Sequence, residues 1–171
     1  MTHDPAKRDE PFQIREARAD EYEAAGELTV IAYAAIEGET DVGYVPELRD
    51  VASRAVAVPV LVAVDSDETL LGTVTYVPGP GAYSESEKED EAGFRMLAVA
   101  PWAQGRGVGR ALVQACIDRA RGDGRRGIAI LTRPSMRTAH ALYESMGFER
   151  APDDDWEFEP GEWLWGYRLR L

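Results

Sequence analysis

The feature that most constrains the fold is an apolar strand that runs directly into a glycine-rich helix start. Residues 97–112 read Leu-Ala-Val-Ala-Pro-Trp-Ala-Gln-Gly-Arg-Gly-Val-Gly-Arg-Ala-Leu, and apolar residues at helical spacing continue to about Arg121. The first turn of a helix has N–H groups without intrahelical partners and the positive end of the helix dipole. Because glycines let the backbone approach an anion closely, the pattern favours a phosphate-binding loop at Gln104 to Gly109.

Three kinds of phosphate loop are compared with this segment. A nucleotide P-loop ends in Gly-Lys-Ser/Thr, whereas this chain has Gly109-Arg110-Ala111. A dinucleotide loop reads G-x-G-x-x-G and is followed by an acidic residue after the next strand, but Ile128 to Thr132 ends without a carboxylate. The third kind, Q/R-x-x-G-x-G/A after a strand ending in Val-x-Pro, fits Gln104 to Gly109 and Val99 to Pro101. A glycine-rich helix start that binds nothing is the remaining alternative.

A second segment carries a motif of its own. Residues 139–148 read Ala-His-Ala-Leu-Tyr-Glu-Ser-Met-Gly-Phe, which has the form A-x-x-L-Y-x-x-x-G-F. Together the two motifs resemble the signature of the GCN5-related N-acetyltransferase (GNAT) superfamily, over about residues 92–150. The run Phe94 to Val99 and the acidic, tryptophan-rich tail are similar to bacterial acetyltransferases of unassigned substrate.

The resemblance implies a GNAT fold of the α/β (α+β) class. Its mixed, mostly antiparallel central sheet has six to seven strands flanked by about four helices. We expect a flexible leader over residues 1–11 and a single domain over residues 12–171. The residue pattern also predicts an Asp20–Glu23 capping box, a continuous second helix from Pro46, and a mobile surface loop that includes the acidic stretch Ser84 to Glu91, before the apolar strand Gly93 to Ala100.

The resemblance further implies acetyl-CoA as cosubstrate. Its pantetheine arm would pair with main-chain groups of Leu97 and Val99, and the Val99 N–H would stabilise the oxyanion. The pyrophosphate would be held by the loop and its flanking arginines: Gln104, Gly105, Arg106, Gly107, Val108, Gly109 and Arg110. Arg133 and Arg137 are further candidates for the 3′-phosphate, and Met136 stands where relatives often have a CoA-contacting asparagine.

Two residues are implied as catalytic. Tyr143 matches the family's general acid, which protonates the departing thiolate, although helical spacing also suits a core tyrosine. Glu91 is the best candidate for the general base, unless the amine needs none. The neighbouring His140 is predicted to lie on the surface, and Cys116, on an apolar helical stripe, is predicted to be a buried thiol.

The acceptor side is inferred from the segments that surround the acceptor in the family. They contain many carboxylates and aromatic rings, which suit a cationic primary amine of a small molecule or peptide. Glu37, Tyr44 and Trp163 are the candidate substrate-binding residues, and the last strands are a possible homodimer surface. A CoA-binding sensor without turnover and an acidic protein-interaction module are the alternative functions.

Charge and composition limit the partners further. The net charge is −12, yet residues 104–137 hold eight arginines and two aspartates, a local +6. The acidic remainder repels nucleic acid and anionic membranes, while the basic island suits a small polyanion. One cysteine, no signal-like N-terminal segment and no apolar run of about 20 residues favour a cytoplasmic protein. No His/Cys/Asp cluster has metal-ligand spacing, so no metal is expected.

Overall fold

The computed structural model describes residues 11–37 and 43–171, and in those ranges it contains five α-helices and eight strands. The helices are α1 (Tyr22–Glu37), α2 (Val45–Arg49), α3 (Val51–Ala57), α4 (Val108–Gly122) and α5 (Arg137–Ser145). The strands are β1 (Phe12–Glu16), β2 (Val60–Asp65), β3 (Leu70–Val77), β4 (Glu91–Val99), β5 (Gly127–Thr132), β6 (Glu149–Arg150), β7 (Trp156–Glu159) and β8 (Glu162–Arg170). The sheet has the order β1-β2-β3-β4-β5-β8-β6, with β7 paired to β8. The predicted α/β class with a mixed, mostly antiparallel sheet is therefore confirmed.

One helix more than expected arises because the helix predicted from Pro46 is interrupted at Asp50. The Asp50 side chain accepts a hydrogen bond from the Ser53 N–H at 3.1 Å and so caps a new helix, α3. Arg54, which is buried, donates to the carbonyls of Glu47 and Leu48 and satisfies the end of α2. A tertiary cap therefore replaces the continuous helix that apolar spacing predicted.

The predicted Asp20–Glu23 capping box is also wrong. Asp20 lies inside a 3₁₀ turn, Ala19–Glu21, and the Glu21 carboxylate accepts from the Arg18 N–H at 2.8 Å. The same carboxylate accepts from the Arg15 guanidinium on β1 at 2.6 Å. This ion pair selects Glu21 over Glu23 for the helix entry, because only Glu21 combines a backbone donor with a strand arginine.

The described part of the chain forms two compact units. The first comprises the described residues up to Thr75 together with Met96–Ala115. Within it, β1, β2 and β3 form an antiparallel meander in which Ile14 pairs with Ala63 and Ala63 pairs with Gly72. Every residue of β2 is buried, as expected for a strand covered on both faces.

The second unit comprises Tyr76–Arg95 and Cys116–Leu171. Here β5 pairs in parallel with the start of β4 and antiparallel with β8, where Ile130 lies opposite Tyr167. Four aromatic rings pack together between the strands and α5: Phe94, Tyr143, Phe148 and Tyr167. No helix in the described ranges is both long and apolar enough to span a bilayer.

Candidate active site

The glycine loop follows β4 in the first unit. After the 3₁₀ turn Pro101–Ala103, Gly105 and Gly107 have φ angles of +78° and +80°, which non-glycine residues rarely adopt. A Cβ built on either glycine would meet no atom within 4 Å. The two glycines therefore combine an unusual backbone with open space on the side where a side chain would stand.

The helix that follows presents its N-terminus at this open space. The Ala111 N–H donates to the Gly107 carbonyl at 3.0 Å, which makes Gly107 the residue before the first helical turn. The N–H groups of the first turn precede that bond and have no intrahelical acceptor. Since Gln104, Gly105 and Gly107 are exposed, these donors and the helix dipole suit an anion in solvent.

The position of this helix start depends on another glycine. A Cβ on Gly72 of β3 would lie 2.9 Å from Val108 Cγ1 and 3.0 Å from Leu112 Cδ1. Both of these α4 side chains are buried. Gly72 thus lets α4 pack closely on β3, and this packing holds the N-terminus of α4 rigidly behind the loop.

The strand before the loop is irregular at Met96. Met96 has φ +54°, an uncommon value for a non-glycine residue and a local strain of about 1 kcal/mol or more. Beyond it, Leu97 and Val99 are half-buried while Ala98 between them is buried. Earlier in β4, Glu91 and Ala92 pair with Gly127 and Ile128 of β5.

Tyr143 lies in the second unit on α5 and is only 5% exposed. Its ring centroid is 5.7 Å from those of Phe94 and Phe148 and 6.2 Å from that of Tyr167. Burial among these rings raises the pKa of the Tyr143 phenol, so the side chain stays protonated at neutral pH. The aromatic packing expected of a core tyrosine and the protonated hydroxyl needed by an acid are thus both present.

Glu91 lies at the start of β4 in an ion-pair network. Its carboxylate accepts from the Arg168 guanidinium and, at 2.9 Å, from the Lys88 N–H. Arg168 also pairs with Asp154 and donates to the Ser86 carbonyl at 3.1 Å. With a side chain 14% exposed, Glu91 is a structural partner of β8 and not a solvated loop carboxylate.

The position of Glu87 was not predicted from the sequence. This residue lies in the segment predicted to be a mobile acidic loop, yet its side chain is partly buried. Its carboxylate folds back onto β4, where a Cβ on Gly93 would collide with Glu87 Oε1. Burial raises the pKa of this carboxyl above its ordinary value, although backbone N–H groups and Arg95 partly offset the effect. An isolated glycine inside a strand is the sequence signal for such a close approach.

The prediction for His140 is wrong, whereas the prediction for Cys116 is confirmed. His140 is buried, with its ring centroid 5.6 Å from that of Trp165 and 5.3 Å from that of Tyr167. Burial lowers the pKa of the imidazole. Cys116 is a fully buried free thiol whose pKa is raised by burial. Neither group is an accessible nucleophile.

The proposed acceptor residues are only partly described. Glu37 ends α1, and its side chain lies outside the described part of the structure, as do Glu39 and Asp41. The Tyr44 ring lies 6.4 Å from that of Tyr33, in the first unit. Trp163, in the second unit, is 43% exposed on β8, opposite Glu157 of β7.

Comparisons with known proteins agree with the fold. A model of the acetyltransferase (GNAT) family matches residues 13–148. A GCN5-related N-acetyltransferase from Kribbella flavida is 29% identical, with a TM-score of 0.69 and coverage of 94% of this chain and 98% of that chain. Salmonella typhimurium yncA, solved with its cofactor acetyl-CoA, is 22% identical, with a TM-score of 0.65 and 94% coverage of both chains.

A further solved structure agrees in fold at lower identity. The PaiA N-acetyltransferase of Thermoplasma acidophilum, in complex with coenzyme A, is 12% identical, with a TM-score of 0.73 and coverage of 94% of this chain and 99% of that chain. No curated protein matches the sequence significantly. Since the family match spans most of the sequence, including both motif segments, the chain belongs to the acetyltransferase (GNAT) family and is an acetyl-CoA-dependent acyltransferase.

Proposed function

We propose that this enzyme transfers the acetyl group of acetyl-CoA to a primary amine of a small molecule or peptide, by direct attack on the thioester. The observation that carries the proposal is the bare helix start, where Gly105 and Gly107 leave open space at the N-terminus of α4. Backbone donors at such a position suit the pyrophosphate of CoA. This loop does not determine which amine is the acceptor, because it would recognise only the shared cosubstrate.

The cosubstrate would be bound mainly through the backbone. Gln104 to Gly109 would donate N–H groups to the pyrophosphate, and Arg106 and Arg110 would add positive charge near it. The irregularity at Met96 supports a role for the next residues of β4, because it interrupts the regular extended backbone just before Leu97 and Val99. Their main-chain groups would pair with the pantetheine amides, and the Val99 N–H would stabilise the oxyanion.

Tyr143 is proposed as the general acid. The amine nitrogen attacks the thioester carbon, the C–S bond breaks, and the phenol gives its proton to the departing thiolate. A raised pKa keeps the phenol protonated until the thiolate appears. The apolar rings around it also exclude water from the leaving sulfur.

The acceptor is proposed to be cationic. Two carboxylates of the tail, Asp154 and Asp155, already form ion pairs with Arg168 and Arg150, so they contribute little to attracting a further cation. The cross-strand pair of Trp163 and Glu157 on the β7–β8 hairpin keeps an exposed ring beside a carboxylate. An ammonium group would gain both cation–π and charge attraction there.

The function is tested by two measurements on the purified chain. Calorimetric titration should detect binding of acetyl-CoA, and a thiol reagent should detect release of CoA with polyamines, aminoglycosides, amino acids or peptide N-termini. Binding together with amine-dependent thiol release supports the proposal. Binding without release for any amine would instead indicate a sensor, and absence of binding would indicate a protein-interaction module.

The acid assignment is tested with Tyr143→Phe. We expect kcat to fall by about 10²-fold, since positioned acids contribute about 10²–10⁴-fold, while the affinity for acetyl-CoA stays unchanged. Tyr76→Phe is the matched control, because Tyr76 is a buried tyrosine of the same unit that donates to Asp123 at 2.7 Å. Equal kcat values for the wild type and Tyr143→Phe would exclude Tyr143 as the acid.

A further inference from the structure

The Glu87 side chain occupies a space on β4 that the sequence leaves open with a glycine. Its Oε1 lies only 2.0 Å from the position of a Cβ built on residue 93, and that Cβ would be 2.8 Å from the Ala129 carbonyl oxygen of β5. Its Oε2 accepts from the Glu85 N–H at 2.5 Å, which turns the side chain toward the sheet. Only glycine at position 93 lets this carboxylate lie against the strand.

The charged groups around Glu87 mainly serve other carboxylates. On β4, Arg95 forms an ion pair with Glu85 at 2.9 Å, and both side chains are 17% exposed. On β8, Arg168 donates to the Ser86 carbonyl, one residue before Glu87, but its ion pairs are with Glu91 and Asp154. Glu87 therefore accepts hydrogen bonds from backbone donors and lies in the positive field of Arg95, and among the described residues no guanidinium donates a hydrogen bond to it.

Glu91 differs from Glu87 in this respect. Its carboxylate accepts hydrogen bonds from the Arg168 guanidinium and the Lys88 N–H. Taking up a proton would break the ion pair with Arg168, which also anchors the Ser86 carbonyl. Glu91 is therefore suited to holding the loop onto β8 and poorly suited to cycling a proton.

The location of Glu87 relates it to the proposed acid through two consecutive strand residues. Gly93 accommodates the carboxylate, and the ring of Phe94 packs on Tyr143 with centroids 5.7 Å apart. Successive residues of a strand face opposite sides of a sheet. The carboxylate and the phenol therefore lie beside neighbouring residues of β4, one on each face of the strand.

We infer that Glu87, rather than Glu91, is the general base of this enzyme, an inference that rests on the proposed N-acetyl transfer. Its carboxylate takes one proton from the acceptor ammonium, and the freed nitrogen lone pair forms the C–N bond. The C–S bond then breaks, and the thiolate receives the phenolic proton of Tyr143. Of the two protons that the ammonium loses overall, one leaves through Glu87 to solvent, and the other restores the phenol.

The pH dependence follows from the surroundings already named: Arg95 on β4, Glu85 in the same loop, and Arg168 on β8. Burial raises the pKa of Glu87, which brings the proton acceptor nearer to neutral pH, where a base works most efficiently. As the pH falls through that pKa, the carboxylate is protonated and kcat should fall. The acceptor's own ionisation is common to wild type and variants, so the difference between their profiles reports the base.

The test compares Glu87→Gln with Glu91→Gln and Glu85→Gln, using an amine that the wild type acetylates. We expect kcat of Glu87→Gln to fall by about 10²-fold or more, with loss of the acidic limb and an unchanged KM for acetyl-CoA. The control Glu85→Gln should retain the wild-type shape of the profile, and Glu91→Gln should keep the acidic limb although it removes the ion pair with Arg168. Wild-type kcat and an unchanged acidic limb in Glu87→Gln would overturn the inference, while the proposed function would stand.

A second variant changes the position of the Glu87 carboxylate and keeps its chemical group. Gly93→Ala should displace Glu87 from β4 and lower kcat in the same direction, because the new Cβ collides with Oε1. Gly127→Ala is the control, since its Cβ would also be tight, 2.9 Å from the Leu169 carbonyl oxygen, without touching Glu87. Equal kcat for Gly93→Ala and Gly127→Ala would overturn the inference and leave the proposed function standing. A wild type that releases no thiol with any amine would refute both the inference and the proposed function.

Discussion

Two loops adjoin β4 in the chain, and they reach their conformations in different ways. The glycine loop after the strand is determined by backbone chemistry, with Gly105 and Gly107 at positive φ and open space around both. The acidic loop before it, residues 84–90, is held by side chains: Arg168 grips the Ser86 carbonyl, Arg95 pairs with Glu85, and Glu87 folds onto Gly93. The first kind of loop can be recognised from local sequence, whereas the second depends on partners distant in the chain.

The largest test of this contrast is Gly107→Val. A β-branched side chain at φ +80° is strained and fills the space beside the helix start, so at least two charge-assisted hydrogen bonds to the cosubstrate should be lost. At about 1.5 kcal/mol each, this weakens acetyl-CoA binding about 100-fold in a calorimetric titration. Gly161→Val is the control variant for the change in stability, because Gly161 has φ +82° and equally open surroundings on the β7–β8 turn.

The two variants of this pair separate binding from strain. Both should lower the free energy of unfolding by a similar amount, about 1 to 2 kcal/mol, since both place valine in the left-handed region. Only Gly107→Val should weaken the affinity for acetyl-CoA. Similar affinities for the two variants would show that the glycine loop has no part in the cosubstrate site.

Arg168→Gln tests the acidic loop with a smaller expected effect. The substitution leaves the carboxylates of Glu91 and Asp154, largely shielded from solvent, without their guanidinium. We expect a loss of about 2 kcal/mol in the free energy of unfolding, below the 3 to 5 kcal/mol typical of fully buried pairs. Hydrogen exchange of the backbone amides in residues 84–90 should also become faster.

The control for this variant is Arg49→Gln, which removes an ion pair to Glu27 in which both side chains are about half exposed. Its cost should be clearly smaller than that of Arg168→Gln, as is usual for surface pairs. If Arg168→Gln changed neither stability nor exchange more than Arg49→Gln, the acidic loop would be held by its backbone, and the contrast between the two loops would disappear.

The sequence therefore predicted the parts of the molecule whose signals are local. The strands at 70–77 and 127–132 begin and end where the apolar runs and turn residues place them, and the glycine loop opens α4 one residue after Gly107. These boundaries depend on residues within a few positions of one another. The fold class was predicted for a related reason, since each family motif, residues 97–112 and 139–148, is a short continuous stretch of sequence.

The rest depends on tertiary partners that no local pattern reveals. Asp50 divides a predicted helix because Arg54 satisfies the preceding carbonyls, and Glu21 displaces Glu23 as the helix-entry carboxylate because Arg15 lies on the neighbouring strand. His140 was predicted on the surface, yet its partner ring Trp165 comes 25 positions later. Glu87 was overlooked for the same reason, since an acidic run predicts solvent exposure and only Gly93 hints at a close approach.

The smallest predicted effect concerns the free energy of unfolding, which the charged Glu87 carboxylate of the acidic loop lowers at neutral pH. A carboxyl whose pKa is raised in the folded state binds protons more readily than in the unfolded chain, so its contribution to stability falls as the pH rises above its unfolded pKa. Glu87→Gln, which cannot ionise, should therefore be more stable than the wild type at pH 7, and the difference should shrink as the pH falls toward the pKa of the unfolded chain. Chemical denaturation across this range measures the difference.

Glu21→Gln provides the control of opposite sign. The Arg15 guanidinium holds the pKa of Glu21 down to about 2, so this carboxylate stabilises the fold at neutral pH and loses its contribution as the pH falls through that value. Glu21→Gln should accordingly be less stable than the wild type at pH 7. If both variants were destabilised at pH 7, the burial of Glu87 would not oppose its charge. The acidic loop would then resemble the strand-anchored Glu21 turn, an ordinary ion-paired connection without a carboxylate kept ready to take up a proton.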